Sequence, residues 1–131
     1  MIVLDTSFLI SIARGEPNLG NKMGKLDEED VFLTSISYFE IFRSGAKMSH
    51  KERSFFSNLF NAYEILPFDT NSSERASSIQ EKLDKVGLKV NLMDVLIAGT
   101  CLGHGISRIA TRDKDFEVIS KVDELFVMND L

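Results

Sequence analysis

Five carboxylates occupy places where an acid is well sited for chemistry: Asp5, Glu40, Asp94, Asp113 and Asp115. Asp5 closes the apolar run Met1-Ile2-Val3-Leu4, and Asp113 with Asp115 follows the apolar stretch at 106–110. Glu40 falls about a turn into a helical pattern that starts directly after Val31-Phe32-Leu33, and Asp94 lies among Leu92, Met93, Val95 and Leu96. Acids at strand ends and early helical turns can converge on one edge of a sheet, where ligands bind in α/β folds. Clustered carboxylates repel, so a fold that gathers them must protonate some or neutralise them with a cation. Oxygen donors with no His or Cys nearby suit hard ions, so Mg²⁺ or Mn²⁺ is expected in preference to zinc.

Each acid also has a structural reading. Asp5 can cap the helix that follows it, and Ser37-Tyr38-Phe39-Glu40 matches a capping box, although a helix start near Ser35 spoils that register. Asp94 falls in the first turn after Asn91, where the helix dipole favours a negative charge by about 0.3–1 kcal/mol. Burying a charge among its apolar neighbours costs more than that unless it is paired, so a functional role is the stronger reading there. Asp113 and Asp115 belong to a polar loop, where solvated acids are common. His50 and His104 fall at helix-terminal positions, Cys101 on an apolar helix face reads as core, and Phe55, Phe56 and Phe60 read as packing. Arg14, Lys22 and Lys25 could border a site; for Lys22, Lys25, Arg43 and Lys47 solvated charge is the first reading and a phosphate-binding rim the second.

The elements that position these groups alternate along the chain. The first strand is apolar throughout, as expected of a parallel sheet covered on both faces. A short helix carrying Phe8, Leu9, Ile12 and Ala13 ends at Gly15 and Pro17, and a further short helix is expected around 22–26. The strand at 31–33 leads through Thr34-Ser35 into a helix ending near Arg43. A helix at 50–63 precedes a strand at 65–68, whose Pro67 suits a sheet edge. Asp69-Thr70-Asn71 opens a helix over 72–86, closed by Gly87; Asn91 caps a nearly all-apolar helix over 92–103, in which Gly99 allows another backbone to approach. Strands at 106–110 and 125–128 complete the pattern. Strands and helices joined in this order imply right-handed crossovers and a doubly wound α/β sandwich, with a central parallel sheet of four to five strands and helices on both faces.

A chain of this length, with 44% hydrophobic and 27% charged residues, is expected to fold as one domain over 1–131. Its single cysteine excludes an internal disulfide and a cysteine-based zinc cluster and fits a reducing compartment. No apolar run is long enough to span a bilayer, so no membrane association and a cytoplasmic location are expected. A formal net charge of −5 argues against a broad basic nucleic-acid footprint, though not against a nuclease whose acids are neutralised by metal.

Four ordered segments carry a resemblance: Val3-Leu4-Asp5-Thr6-Ser7; Ser37-Tyr38-Phe39-Glu40-Ile41 with Arg43-Ser44-Gly45; Leu92-Met93-Asp94-Val95-Leu96-Ile97-Ala98-Gly99-Thr100; and Ile109-Ala110-Thr111-Arg112-Asp113-Lys114-Asp115-Phe116. Together they resemble the PIN-domain ribonucleases, in particular the VapC-type toxins of toxin–antitoxin pairs. The resemblance implies a metal-dependent endoribonuclease that leaves a 5′-phosphate, a homodimer, and a VapB-like antitoxin whose C-terminal segment occupies the toxin's groove. By position, Asp5, Glu40 and Asp94 match the family's first three acids. Both Asp113 and Asp115 fit variants of the fourth, with Asp113 ranked first. The metal would fall to Asp5 and Asp94, with Glu40 and Asp113 or Asp115 acting through water or on a second ion. Thr6, Ser7 and Thr111 would orient carboxylates or phosphate. Asn91-Leu92-Met93 departs from the family's usual lead-in to the third acid and leaves its register intact. The competing reading is a PIN-like module that binds RNA or protein without turnover. Receiver and haloacid-dehalogenase folds are disfavoured, because Asp5-Thr6-Ser7 supplies neither paired acids nor Asp-x-Asp.

Overall fold

The computed structural model describes residues 1–17, 24–26 and 29–129. Five strands form one sheet: β1 (Ile2–Leu4), β2 (Val31–Thr34), β3 (Glu64–Leu66), β4 (Arg108–Ala110) and β5 (Phe126–Met128). Their order is β3-β2-β1-β4-β5 and every pairing is parallel, with Val3 opposite both Phe32 and Ile109. Parallel neighbours cannot be joined by hairpins, so helices cross between them: α1 (Thr6–Ala13), α2 (Ser35–Phe42), α3 (His50–Ala62), α4 (Thr70–Lys85), α5 (Leu92–Gly103) and α6 (Asp115–Ser120).

The period-two alternation of a strand sorts β1 between two cores. Ile2 and Leu4 pack with Phe8, Leu9, Ile41, Phe56 and Phe60 of α1, α2 and α3, whereas Val3 packs with Ile79, Val95, Ile97 and Phe116 of α4, α5 and α6. All three β1 residues are completely buried, as their apolar types require at the centre of a sheet covered on both faces. Among the described residues, no helix is long and apolar enough to cross a membrane.

The strand expected over 106–110 is shorter, and the helix before it explains why. Gly105 adopts φ +75°, its N–H reaches Leu102 and the Ile106 N–H reaches Cys101, so Ile106 belongs to the α5 C-terminal cap. Pro67 lies just beyond β3, which is an edge strand as the proline implied. Two expectations need correction. Leu92 opens the apolar helix expected to be central but is 61% exposed, since the first turn of α5 turns Asp94 and Val95 inward and leaves Leu92 on the outer face. Asp115 opens a helix and does not sit in a loop; α6 is six residues long, too short for a periodic apolar signal, and is held by buried Phe116 and Ile119. Within the expected short helix at 22–26, residues 24–26 are helical, while Lys22 lies outside the described residues.

Gly99 does bring two backbones together. A Cβ there would lie 2.6–2.8 Å from the Cβ, N and Cα atoms of Ala76 on α4. Because backbone atoms cannot swing away, Gly99→Ala is expected to destabilise the fold by about 1–3 kcal/mol, as overpacking does. Urea unfolding measures this, and an unchanged midpoint would show that α4 and α5 separate freely.

Candidate functional site

The strand order decides where the acids meet. β1 and β4 are neighbours, and the helices that follow them, α1 and α6, cover opposite faces of the sheet. This is the switch point of a doubly wound sheet, and a crevice opens beyond the carboxyl ends of the two strands. Asp5 is the first residue after β1, and Thr111 the first after β4.

Asp5 is both a cap and a member of the site. Its Oδ1 accepts the Phe8 N–H at 2.9 Å, capping α1, and the Ser7 hydroxyl lies 2.9 and 3.0 Å from the two carboxylate oxygens. The Thr111 hydroxyl donates to Oδ2 at 2.7 Å across the β1–β4 boundary. Burial pushes the Asp5 carboxyl up to about 6, against the pull of the Phe8, Thr111 and Ser7 donors, and the charge of Asp113 adds to the rise. Two backbone donors complete the lattice: the Arg112 N–H reaches the Ser7 hydroxyl and the Asp113 N–H reaches the Thr111 hydroxyl, each at 2.9 Å. Thr6, Ser7 and Thr111, singled out from sequence, thus all touch an acid or the groups that hold one. The Arg112 contribution was not legible, because it comes from a main-chain N–H.

Asp94 enters from α5, whose first turn is capped by the Asn91 side chain on the Met93 N–H. Its carboxyl is pushed up to about 9, chiefly by loss of water and then by Asp113, Asp5 and Asp115. Its Oδ2 is fully buried and has no hydrogen-bond partner among the described residues. Such an atom is costly unless something electropositive reaches it. Asp113 and Asp115 stand beside it: all three offer carboxylate oxygens within 4.8 Å of one another. Two N–H groups set this cluster, Asp115 donating to Asp113 at 2.9 Å and Asn91 to Asp115 at 2.8 Å. Three converging carboxylates, one of them with a bare buried oxygen, fit a hard divalent cation.

Glu40 is placed differently. Thr34, not Ser37, caps α2, so no capping box forms at Glu40. The Glu40 Oε1 instead lies 2.8 Å from the Thr6 hydroxyl, which is 2.9 Å from the hydroxyl of fully buried Ser37. Glu40 is not part of the Asp94, Asp113 and Asp115 trio, and it lines a cavity with Arg14 and Lys47. The remaining candidates are structural. Cys101 is buried, and burial raises its thiol pKa; His104 caps α5 with its ring 2.9 Å from the Pro67 carbonyl oxygen; His50 begins α3; Phe56 and Phe60 are core.

Comparison with known proteins identifies the family. The chain is 25% identical over 128 residues to Ribonuclease VapC1 of Rickettsia felis, an alignment covering 96% of both chains. Its fold matches the crystal structure of VapBC2 from Rickettsia felis, bound to a DNA fragment from their promoter, with a TM-score of 0.83, 19% identity and 98% of each chain covered. It also matches FitAcB from Neisseria gonorrhoeae with a TM-score of 0.79 at 27% identity, covering 98% of this chain and 97% of that one. The PIN domain model matches residues 2–122, nearly the whole chain with all five acids, and the chain belongs to the PIN domain family.

Proposed function

We propose that the protein is a metal-dependent endoribonuclease of the VapC kind, the toxin of a toxin–antitoxin pair. The observation that carries this reading is the convergence of Asp94, Asp113 and Asp115 carboxylate oxygens within 4.8 Å of one another, with the Asp94 Oδ2 buried and without a hydrogen-bond partner among the described residues. The similarity to a protein named Ribonuclease VapC1 supports RNA as the substrate, and the VapBC fold match supports a VapB-like antitoxin as partner. We also propose a homodimer, as the family resemblance implies, and a cytoplasmic location, which the single cysteine fits.

Asp94 and Asp5 would be the principal holders of the cation, Mg²⁺ or Mn²⁺, with Asp113 and Asp115, which converge on Asp94 while Asp5 stands outside that trio, completing its neutralisation and Glu40 acting through water. When bound, such an ion lowers the pKa of a water nucleophile and stabilises charge that grows on phosphoryl oxygens. Thr111 and Ser7 hold the Asp5 carboxylate in one orientation, and Thr6 does the same for Glu40. The buried Asp94 carboxyl must surrender its proton before it can serve, which a dication favours and bulk water does not.

The deciding experiment incubates antitoxin-free protein with a mixed RNA pool and Mg²⁺ or Mn²⁺, beside Asp5→Asn and an EDTA control. Asparagine retains an oxygen to cap α1 and removes the charge. Wild type is expected to cut the RNA, with Asp5→Asn and EDTA each abolishing cleavage. Equal survival of the RNA in every arm would leave an inactive binding module, and cutting that persists in EDTA would remove the metal.

A further inference from the structure

A cavity of about 510 Å³ lies beside Glu40, lined by Arg14, Ser44, Lys47, Met48 and Phe56 among others. A second, of about 450 Å³, is lined by Ser7, Ile10, Ser11, Arg14, Glu16 and Arg112. The two share Ile10 and Arg14, so together they form one groove over α1. It runs from Ser7, which holds Asp5, past Arg14 to Glu40 and Lys47.

The backbones of the two cations are fixed while their charged ends are available. Arg14 ends α1, its N–H bound to Ile10, and Lys47 closes a 3₁₀ turn (Gly45–Lys47) that Arg53 pins through the Gly45 carbonyl at 2.9 Å. Neither side chain has an ion-pair partner among the described residues, whereas Arg75, Lys82, Lys85, Arg108 and Arg112 all do. Three acids line the groove as well: Glu16 is ion-paired with Arg112, while hydrogen bonds hold Glu40 to Thr6 and Glu52 in the capping box that starts α3, so that Arg14 and Lys47 keep their charge for a ligand. In a chain of net charge −5, a polyanion must find its attraction locally, and unpaired cations along a groove provide it.

We propose that Arg14 and Lys47 grip backbone phosphates of the RNA strand that the carboxylate site cuts. This rests on the nuclease reading. The groove then acts as a sequence-independent rail, since phosphate contacts position a strand without reading its bases.

The test compares Arg14→Ala/Lys47→Ala with the surface control Lys121→Ala, both checked for wild-type melting. Binding of single-stranded RNA is followed against salt in an Asp94→Asn background, and cleavage is followed in the active background. Loss of two phosphate contacts lowers the slope of log affinity against log salt by about 1.4. Over a roughly fourfold rise in salt, the double variant should therefore lose about sevenfold less affinity than its parent. In cleavage its KM should rise with kcat little changed, while Lys121→Ala follows wild type in both assays. A double variant whose slope and KM match the control overturns the proposal. One that handles RNA normally but escapes a cognate antitoxin also overturns it and assigns the groove to the protein partner. If wild type cuts nothing while RNA binding still depends on Arg14 and Lys47, the nuclease reading falls and the phosphate grip stands.

Discussion

Asp94→Asn is expected to lower RNA cleavage on the order of 10²–10³-fold or more, the scale at which loss of one preorganised electrostatic contact is felt. The substitution preserves shape at a position where little else could, since Asp94 is only 6% exposed and packs in a helix beside Val95, Ile97 and Ala98. It removes the one carboxylate among the described residues whose buried oxygen has no hydrogen-bond partner there. The same variant should melt higher than metal-free wild type at neutral pH, because an amide need not be kept neutral among Asp113, Asp5 and Asp115. Loss of activity with a gain in stability separates this outcome from simple misfolding. Cleavage at the wild-type rate would show that Asp94 only starts a helix.

Divalent metal should stabilise the protein by an amount that grows with pH. An unfolded aspartic acid titrates near 3.8, whereas the folded Asp5 and Asp94 carboxyls are raised to about 6 and about 9. Between the unfolded and folded values the native state holds more protons than the unfolded chain, so metal-free stability falls as pH rises. The Asp5 share of that loss is complete just above its folded value, and the Asp94 share continues to about 9. A cation replaces the protons and cancels the repulsion. Melting with and without Mg²⁺ or Mn²⁺ should therefore differ little near about pH 4 and markedly near about pH 8. A metal-induced shift that is the same at both pH values would place the ion away from Asp5 and Asp94.

The grip of the two cations is the least expected part of the groove. Arg14 is readable as bordering a site and Lys47 as solvated charge or a phosphate-binding rim, but a separation of 33 positions hides that both border the same cavity. Glu40 shows the same limit. Its spacing from Ser37 imitated a capping box, and only the packing of α1 on α2 revealed Thr6 as its partner.

Much of the architecture followed from sequence because local rules agree with the fold. β1 is apolar at every residue since it is central and covered twice; Asp5, Thr34, Asp69 and Asn91 cap helices since an oxygen at that position satisfies an orphan N–H; and Gly99 is small since α4 leaves no room. Element ends were less legible, because the cap at Gly105 competes for Ile106 and six residues cannot display a helical period in α6. Sequence alone determined which residues carry carboxylates and that strand ends present them. The tertiary structure decided that β1 and β4 are neighbours, that Asp113 and Asp115 both reach Asp94, and that Arg112 N–H and Asn91 N–H fix the surroundings. The reason is physical: a carboxylate's type is local, but its pKa and its capacity to hold a cation depend on desolvation and on charges that arrive from distant parts of the chain.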